Sequence, residues 1–190
     1  YLRETENLFR SNLIKLQTIE LLNEMRSAEK LPSKVEKWVQ RTIENILAVG
    51  EVDGVGIKQL TSVSGLDLVD ATVEVDFIPP VEVSVVGSSK LATGTKPYLN
   101  VDIAVTIPDD IFNESDVLNH VYFDKRKLYL AVIADKLGAL YGCKAVDCIS
   151  FGLFKGDVRK PIVILRCPPP SATFKTAYEI HIIPTVSSIS

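Results

Sequence analysis

Two neighbouring stretches carry the residue types that could do chemistry on a phosphate. Val83-Ser84-Val85-Val86 runs into Gly87-Ser88, and after a short link comes Asn100-Val101-Asp102-Ile103-Ala104-Val105. A strand that stops at Gly-Ser and turns into a helix aims backbone N–H groups and a hydroxyl at an anion. Glycine there lets the backbone approach closely. On the following strand, residues two apart share a face. Two carboxylates so placed, with a third from an adjacent strand, would clamp two Mg²⁺ ions and a transferring phosphoryl group. This chain has Asn100 and Asp102, or in the alternative register Asp102 and Ala104, so neither register yields an acidic pair. A single carboxylate holds Mg²⁺ weakly. No catalytic residue, metal ligand or cofactor is therefore assigned.

This layout resembles the nucleotidyltransferase signature, in which a hydrophobic residue and Gly-Ser precede acid-x-acid on a strand. The resemblance implies an α+β fold: a nucleotidyltransferase-like mixed β-sheet with packed helices, and an N-terminal helical hairpin in front of it. The expected division is a hairpin over residues 1–50 and a degenerate nucleotidyltransferase-like domain over 51–190. In active relatives a third acid sits on a later strand. Glu179 and His181 are the candidates for that place, and the sequence does not choose between them.

The elements that must position these residues are legible as periodicities. Residues 5–29 have helical spacing, with Leu8, Leu13, Leu16, Ile19, Leu22 and Met25 among the apolar positions. After Pro32, Ser33-Lys34-Val35-Glu36 has the form of a capping box, and Val35, Trp38, Val39, Ile43 and Ile46 make a second amphipathic helix closing near Gly50. Residues 50–68 are Gly-containing and read as irregular. Val69–Ile78 alternates as a strand, with Val73, Val75 and Phe77 on one face, and Pro79-Pro80 ends it. Beyond Pro108 the spacing predicts one long helix, capped by Ser115, with an apolar face from Leu118 to Leu140, and ended by Gly142. Strands follow over Val146–Phe154 and Pro161–Cys167, joined by a turn at Lys155-Gly156-Asp157, and a last strand over Phe174–Ile183.

Composition narrows the classes. Of 190 residues 46% are apolar, enough for a core and too many for a disordered chain. No apolar run reaches membrane-spanning length, so no membrane partner is expected. The chain begins at Tyr1 rather than Met and reads as a fragment of a longer protein. Cys143, Cys148 and Cys167 have no metal-binding spacing and read as buried thiols in a reducing compartment. The net charge of −3 hides an asymmetry: residues 50–122 carry three basic and twelve acidic side chains, residues 123–190 ten basic and five acidic. A uniformly RNA-coating surface is excluded, and phosphate contacts belong in the C-terminal third.

Leu118-Asn119-His120-Val121-Tyr122-Phe123-Asp124-Lys125-Arg126-Lys127-Leu128-Tyr129-Leu130 is similar to a helix of the Nrap family of nucleolar RNA-associated proteins. That family also carries Asn-Val-Asp where active enzymes carry acid-x-acid, as at Asn100-Val101-Asp102. The resemblance implies the first degenerate nucleotidyltransferase-like domain of a nucleolar component of the small-subunit processome. Such a domain would act in pre-ribosomal RNA processing as a non-catalytic scaffold. Its partners would be processome proteins, with pre-ribosomal or small nucleolar RNA as a further partner. Gly87, Ser88, Asn100, Asp102 and Glu179 would then be a relic motif. Two rival readings stay open: an active metal-dependent nucleotidyltransferase using Asp102 and Glu179, and a nucleotide-binding module without turnover.

Each singled-out residue also has a plainer reading. Gly87-Ser88 serves as the turn that the fold requires, and Asp102 as a relic hydrogen-bonded to it. His181 reads as a partly buried strand histidine and His120 as a helix-surface one. Lys125, Arg126 and Lys127 read as a solvated face, with RNA or an acidic partner as the sharper alternative.

Overall fold

Asn12–Met25 and Ser33–Leu47 form the two N-terminal helices, α1 and α2, that their apolar spacing predicts. They are followed by strands β1 (Val52–Gly56), β2 (Glu74–Phe77) and β3 (Glu82–Val86), and by the single helical turn α3 (Gly87–Lys90). Then come β4 (Leu99–Ile107), helices α4 (Glu114–Leu118) and α5 (Val121–Tyr141), and strands β5 (Ile149–Leu153), β6 (Pro161–Leu165) and β7 (Tyr178–Val186). This computed structural model describes residues 12–25, 31–56, 59–60, 72–95, 99–141, 148–166 and 178–187. Gly142, Cys143, Cys167 and the first residues of the expected last strand lie outside that set.

The architecture is α+β. A five-stranded mixed sheet has the order β3-β4-β7-β6-β5, and β1 with β2 makes a separate antiparallel pair. Only β4 and β7 run parallel; the other neighbours in the large sheet are antiparallel. Period-two alternation sorts β4 cleanly. Leu99, Val101, Ile103, Val105 and Ile107 are buried, and the residues between them are half-buried on the other face. Ile180, Ile182 and Pro184 of β7 continue the buried side. Leu128 to Ala134 and Leu137 of α5 join these strand residues in one core. Tyr129 stacks on Phe77 with ring centroids 4.5 Å apart and donates its hydroxyl to Ile78 O at 2.9 Å, tying the small sheet to α5.

Val35, Trp38, Val39 and Ile46 of α2 belong to that same core, and buried Thr42 meets Tyr141 of α5 at 2.9 Å. In α1 the side chains of Leu13, Leu16, Ile19, Leu21, Leu22 and Met25 are exposed.

Several local expectations are corrected. Residues 52–56 are strand rather than irregular chain: β1 pairs with β2 across a bulge between Val52 and Val55, where Gly54 takes φ +58° and its N–H reaches Asp76 Oδ1. The Ser33 capping box is not formed. Pro32 is the N-cap and its carbonyl accepts the first helical N–H bonds, which leaves Ser33 inside the first turn. The long helix after Pro108 is two helices. Asn113, not Ser115, caps α4 in a reciprocal box with Asp116. His120 then takes φ +62°, a left-handed conformation that stops α4 and puts this histidine in a turn. Leu118 is exposed as a result, since its helix ends before the α5 face begins. Cys148 is disulfide-bonded, so the expectation of free buried thiols fails there.

Candidate functional site

The half-buried face of β4 and β7 collects the polar residues. Register decides their neighbours: Asn100 lies opposite Glu179, Asp102 opposite His181, and Val86 opposite Asp102. Both candidates for the third-acid position therefore stand on one face beside Asn100 and Asp102, with His181 directly across from Asp102.

Side-chain geometry links them into a chain. Asn100 Nδ2 donates to Asp102 Oδ1 at 2.5 Å. His181 Nδ1 lies 3.3 Å from that same oxygen, and its Nε2 lies 3.4 Å from Glu179 Oε2. Glu179 Oε1 accepts from Arg166 Nε at 2.9 Å, and Arg166 donates onward to Ser150 Oγ at 2.7 Å. Asn100 Nδ2 is also 3.4 Å from His181 Nδ1. That nitrogen cannot accept from Asn100 and donate to Asp102 at once. The charge-assisted bond to the carboxylate is the stronger of the two, so Nδ1 carries a proton and the Asn100 approach is a contact between two donors.

Electrostatics follow from this arrangement. The hydrogen bond to Asp102 raises the His181 pKa above its usual 6.5; burial opposes the rise, and Glu179 adds to it. Burial alone would raise the Glu179 carboxyl, but hydrogen bonds from Arg166 and His181 outweigh it and hold the group below its usual value. With His181 protonated, Asp102, His181, Glu179 and Arg166 carry two negative and two positive charges. The imidazolium stands between the two carboxylates that would otherwise converge on a cation.

Gly87 fits this cluster for a steric reason. Its φ is +71°, and a β-carbon added there would come within 2.5 Å of Asp102 Oδ2. The Asp102 carboxylate lies against the Gly87 backbone, where the sequence pattern would place a phosphate. The strand-to-helix turn that the sequence leads one to expect is present. The helix behind it is only Gly87–Lys90, and Ser88 and Ser89 sit within that one turn. One turn aligns too few peptide dipoles for the anion-binding field of a long helix. Mg²⁺ demands several oxygen ligands in octahedral array. Asp102 and Glu179 with an N–H-bearing ring between them do not fit it. Among the described residues no group of three His, Cys, Asp or Glu side chains is arranged to hold a metal ion.

The basic triplet is engaged within its own domain. Lys125 Nζ pairs with Asp116 Oδ2 at 2.7 Å and donates to Ile111 O at 3.1 Å. Arg126 donates to Pro184 O at 3.0 Å, with its guanidinium 5.4 Å from the Tyr122 ring centre. Lys127 lies 3.6 Å from Asp124. The Lys125 and Lys127 side chains are only 15% and 17% exposed. Burial would raise the Asp116 carboxyl, but the bonds from Lys125 and from the Asn113 N–H pull it below its usual value. Arg166, Ser150 and Asp116 were missed in the sequence. Arg166 and Ser150 enter through strand register, which is a property of the sheet, whereas Asn113-x-x-Asp116 is a legible capping pattern.

Residues 63–190 match the family described as Nrap protein domain 1. The chain belongs to the Nrap family. It is 35% identical to human nucleolar protein 6 over 89% of this chain, and 37% identical to the mouse protein of that name over 87%. It is 27% identical to the yeast U3 small nucleolar RNA-associated protein 22 over 95% of its length. The chain spans only 16%, 15% and 16% of those proteins. The human and mouse relatives are named as nucleolar proteins. The matched segment contains β3 to β7, and with them every residue of the polar cluster.

Proposed function

We propose that this domain is a non-catalytic scaffold in a nucleolar ribosome-biogenesis factor. It acts in pre-ribosomal RNA processing within the small-subunit processome, and is a nucleotidyltransferase-like module that no longer transfers nucleotides. The observation that carries this reading is His181 between Asp102 and Glu179. Metal-dependent phosphoryl transfer needs converging carboxylates free to take divalent cations. Here the His181 ring stands between them, Asn100 replaces one acid, and Arg166 occupies Glu179. Asp102 against Gly87 also opposes a phosphate in the turn, which disfavours nucleotide binding without turnover.

The yeast relative is named for its association with U3 small nucleolar RNA. We carry to this chain an association with processome proteins and with that RNA or the pre-ribosomal RNA. The test of the non-catalytic reading is incubation with labelled nucleoside triphosphates, Mg²⁺ or Mn²⁺ and an RNA primer. No extension is expected. Extension that disappears in Asp102→Ala overturns the reading.

A further inference from the structure

The β5–β6 hairpin ends in Leu153-Phe154-Lys155-Gly156-Asp157-Val158-Arg159-Lys160, at the edge of the five-stranded sheet. The loop is held by its own backbone: Phe154 N donates to Lys160 O at 2.8 Å, Asp157 N to Phe154 O at 3.1 Å and Lys160 N to Asp157 O at 2.9 Å. Lys155 and Gly156 take φ +52° and +77°, which turns the chain sharply. On this frame stand three cations and one acid. The Arg159 and Lys160 side chains are 67% and 57% exposed, and Lys155 is exposed with Nζ 5.5 Å from the Phe154 ring centre. Asp157 pairs with Arg159 at 3.2 Å and Lys160 at 3.5 Å, which fixes both heads and leaves a positive excess.

We infer that this hairpin tip is a contact for single-stranded RNA, its cations tracking the phosphates and its exposed apolar residues meeting bases. Leu153 and Val158 are 47% and 61% exposed. Single-stranded binders combine a basic track along the backbone with aromatic rings on which bases stack; at this tip the ring is the half-buried Phe154 beside Lys155. The helix triplet offers no equivalent, since Lys125, Arg126 and Lys127 are half-buried and engaged within the domain. The inference rests on the RNA association proposed above and assigns that association a surface.

The full chain is titrated against a fluorescein-labelled uridine 12-mer by anisotropy, in KCl from about 50 to 200 mM. The comparison is Lys155→Gln/Arg159→Gln/Lys160→Gln, with circular-dichroism melting as the control for folding. The parent is expected to bind, with at least roughly tenfold loss in the variant at low salt. The slope of log K against log[KCl] is expected to flatten by about 2, since each phosphate neutralised on a single strand contributes about 0.7. Equal affinity and slope in both proteins, no binding by the parent, or tighter binding of polyglutamate than of the RNA overturns the assignment. A variant that melts early is replaced by Lys155→Gln/Lys160→Gln, for which the expected flattening is about 1.4 and the other outcomes are unchanged. If the tip proves inert while the complete protein still recovers U3 RNA, the association stands and only this surface fails.

Discussion

His181 turns a site pattern into a structural ion cluster, and its titration gives that change a measurable sign. Its folded-state pKa is raised, so protonation stabilises the fold. The contribution is fully present below the unfolded value near 6.5 and is lost as pH rises through the higher folded value. The ring is partly open to solvent, which screens the effect. The melting temperature is therefore expected to fall by roughly 2–4 °C between pH 6 and pH 8.5, the scale of a modest change in a domain of this size. His181→Gln is expected to remove that dependence; a variant with the parent's pH profile would place its origin elsewhere. Gly87 is the second residue with a defined cost. Gly87→Ala forces a non-glycine residue into φ +71° and a β-carbon into the Asp102 carboxylate. Urea unfolding should show a loss of about 1–3 kcal/mol. Pairing it with Asp102→Ala should recover part of that loss by opening the space.

At the scale of the element, the break between α4 and α5 is the clearest departure from periodicity. Val117, Leu118, Val121 and Tyr122 have spacing compatible with one continuous helix. The left-handed backbone at His120 divides it, and the cap at Asn113 with the Lys125–Asp116 pair holds the short helix in place. Asn113→Ala removes the side-chain acceptor of that cap. It is expected to cost about 1 kcal/mol in urea unfolding. Faster amide exchange should appear across residues 114–118 before any change in α5. Uniform exchange over both helices would mean that they behave as one element.

For the whole molecule, the decisive feature is one core shared by α2, the small sheet, α5 and the large sheet. Trp38 is 6% exposed in that core although it precedes the strands that carry the polar cluster. Trp38→Ala is expected to cost about 3–5 kcal/mol. The loss should appear as one transition, with far-ultraviolet circular dichroism and tyrosine fluorescence moving together. An N-terminal transition separate from the rest would show that α2 folds as an independent unit.

Sequence alone determined what depends on neighbours along the chain. The strand run of β3, the strand of β4, the Gly-Ser turn, the turn at Lys155-Gly156-Asp157 and the helical spacing of α2 and α5 are local patterns, and all are present. The missing second acid was equally local, because Asn100 and Asp102 share a face at any register. Tertiary structure decided everything that depends on which strands lie side by side. The parallel pairing of β4 with β7 placed His181 across from Asp102 and Glu179 across from Asn100. The antiparallel β5–β6–β7 arrangement brought Ser150 and Arg166 to the same cluster. Both sets of cations have partners, but Lys125 and Lys127 are held at 15% and 17% exposure, whereas Arg159 and Lys160 pair with Asp157 at 67% and 57% exposure. Charge and residue type are written in the sequence, and so are pairs between near neighbours such as Asp124 and Lys127; how far a charge is buried, and which strand lies beside it, is set by residues far apart in the chain and close in the fold.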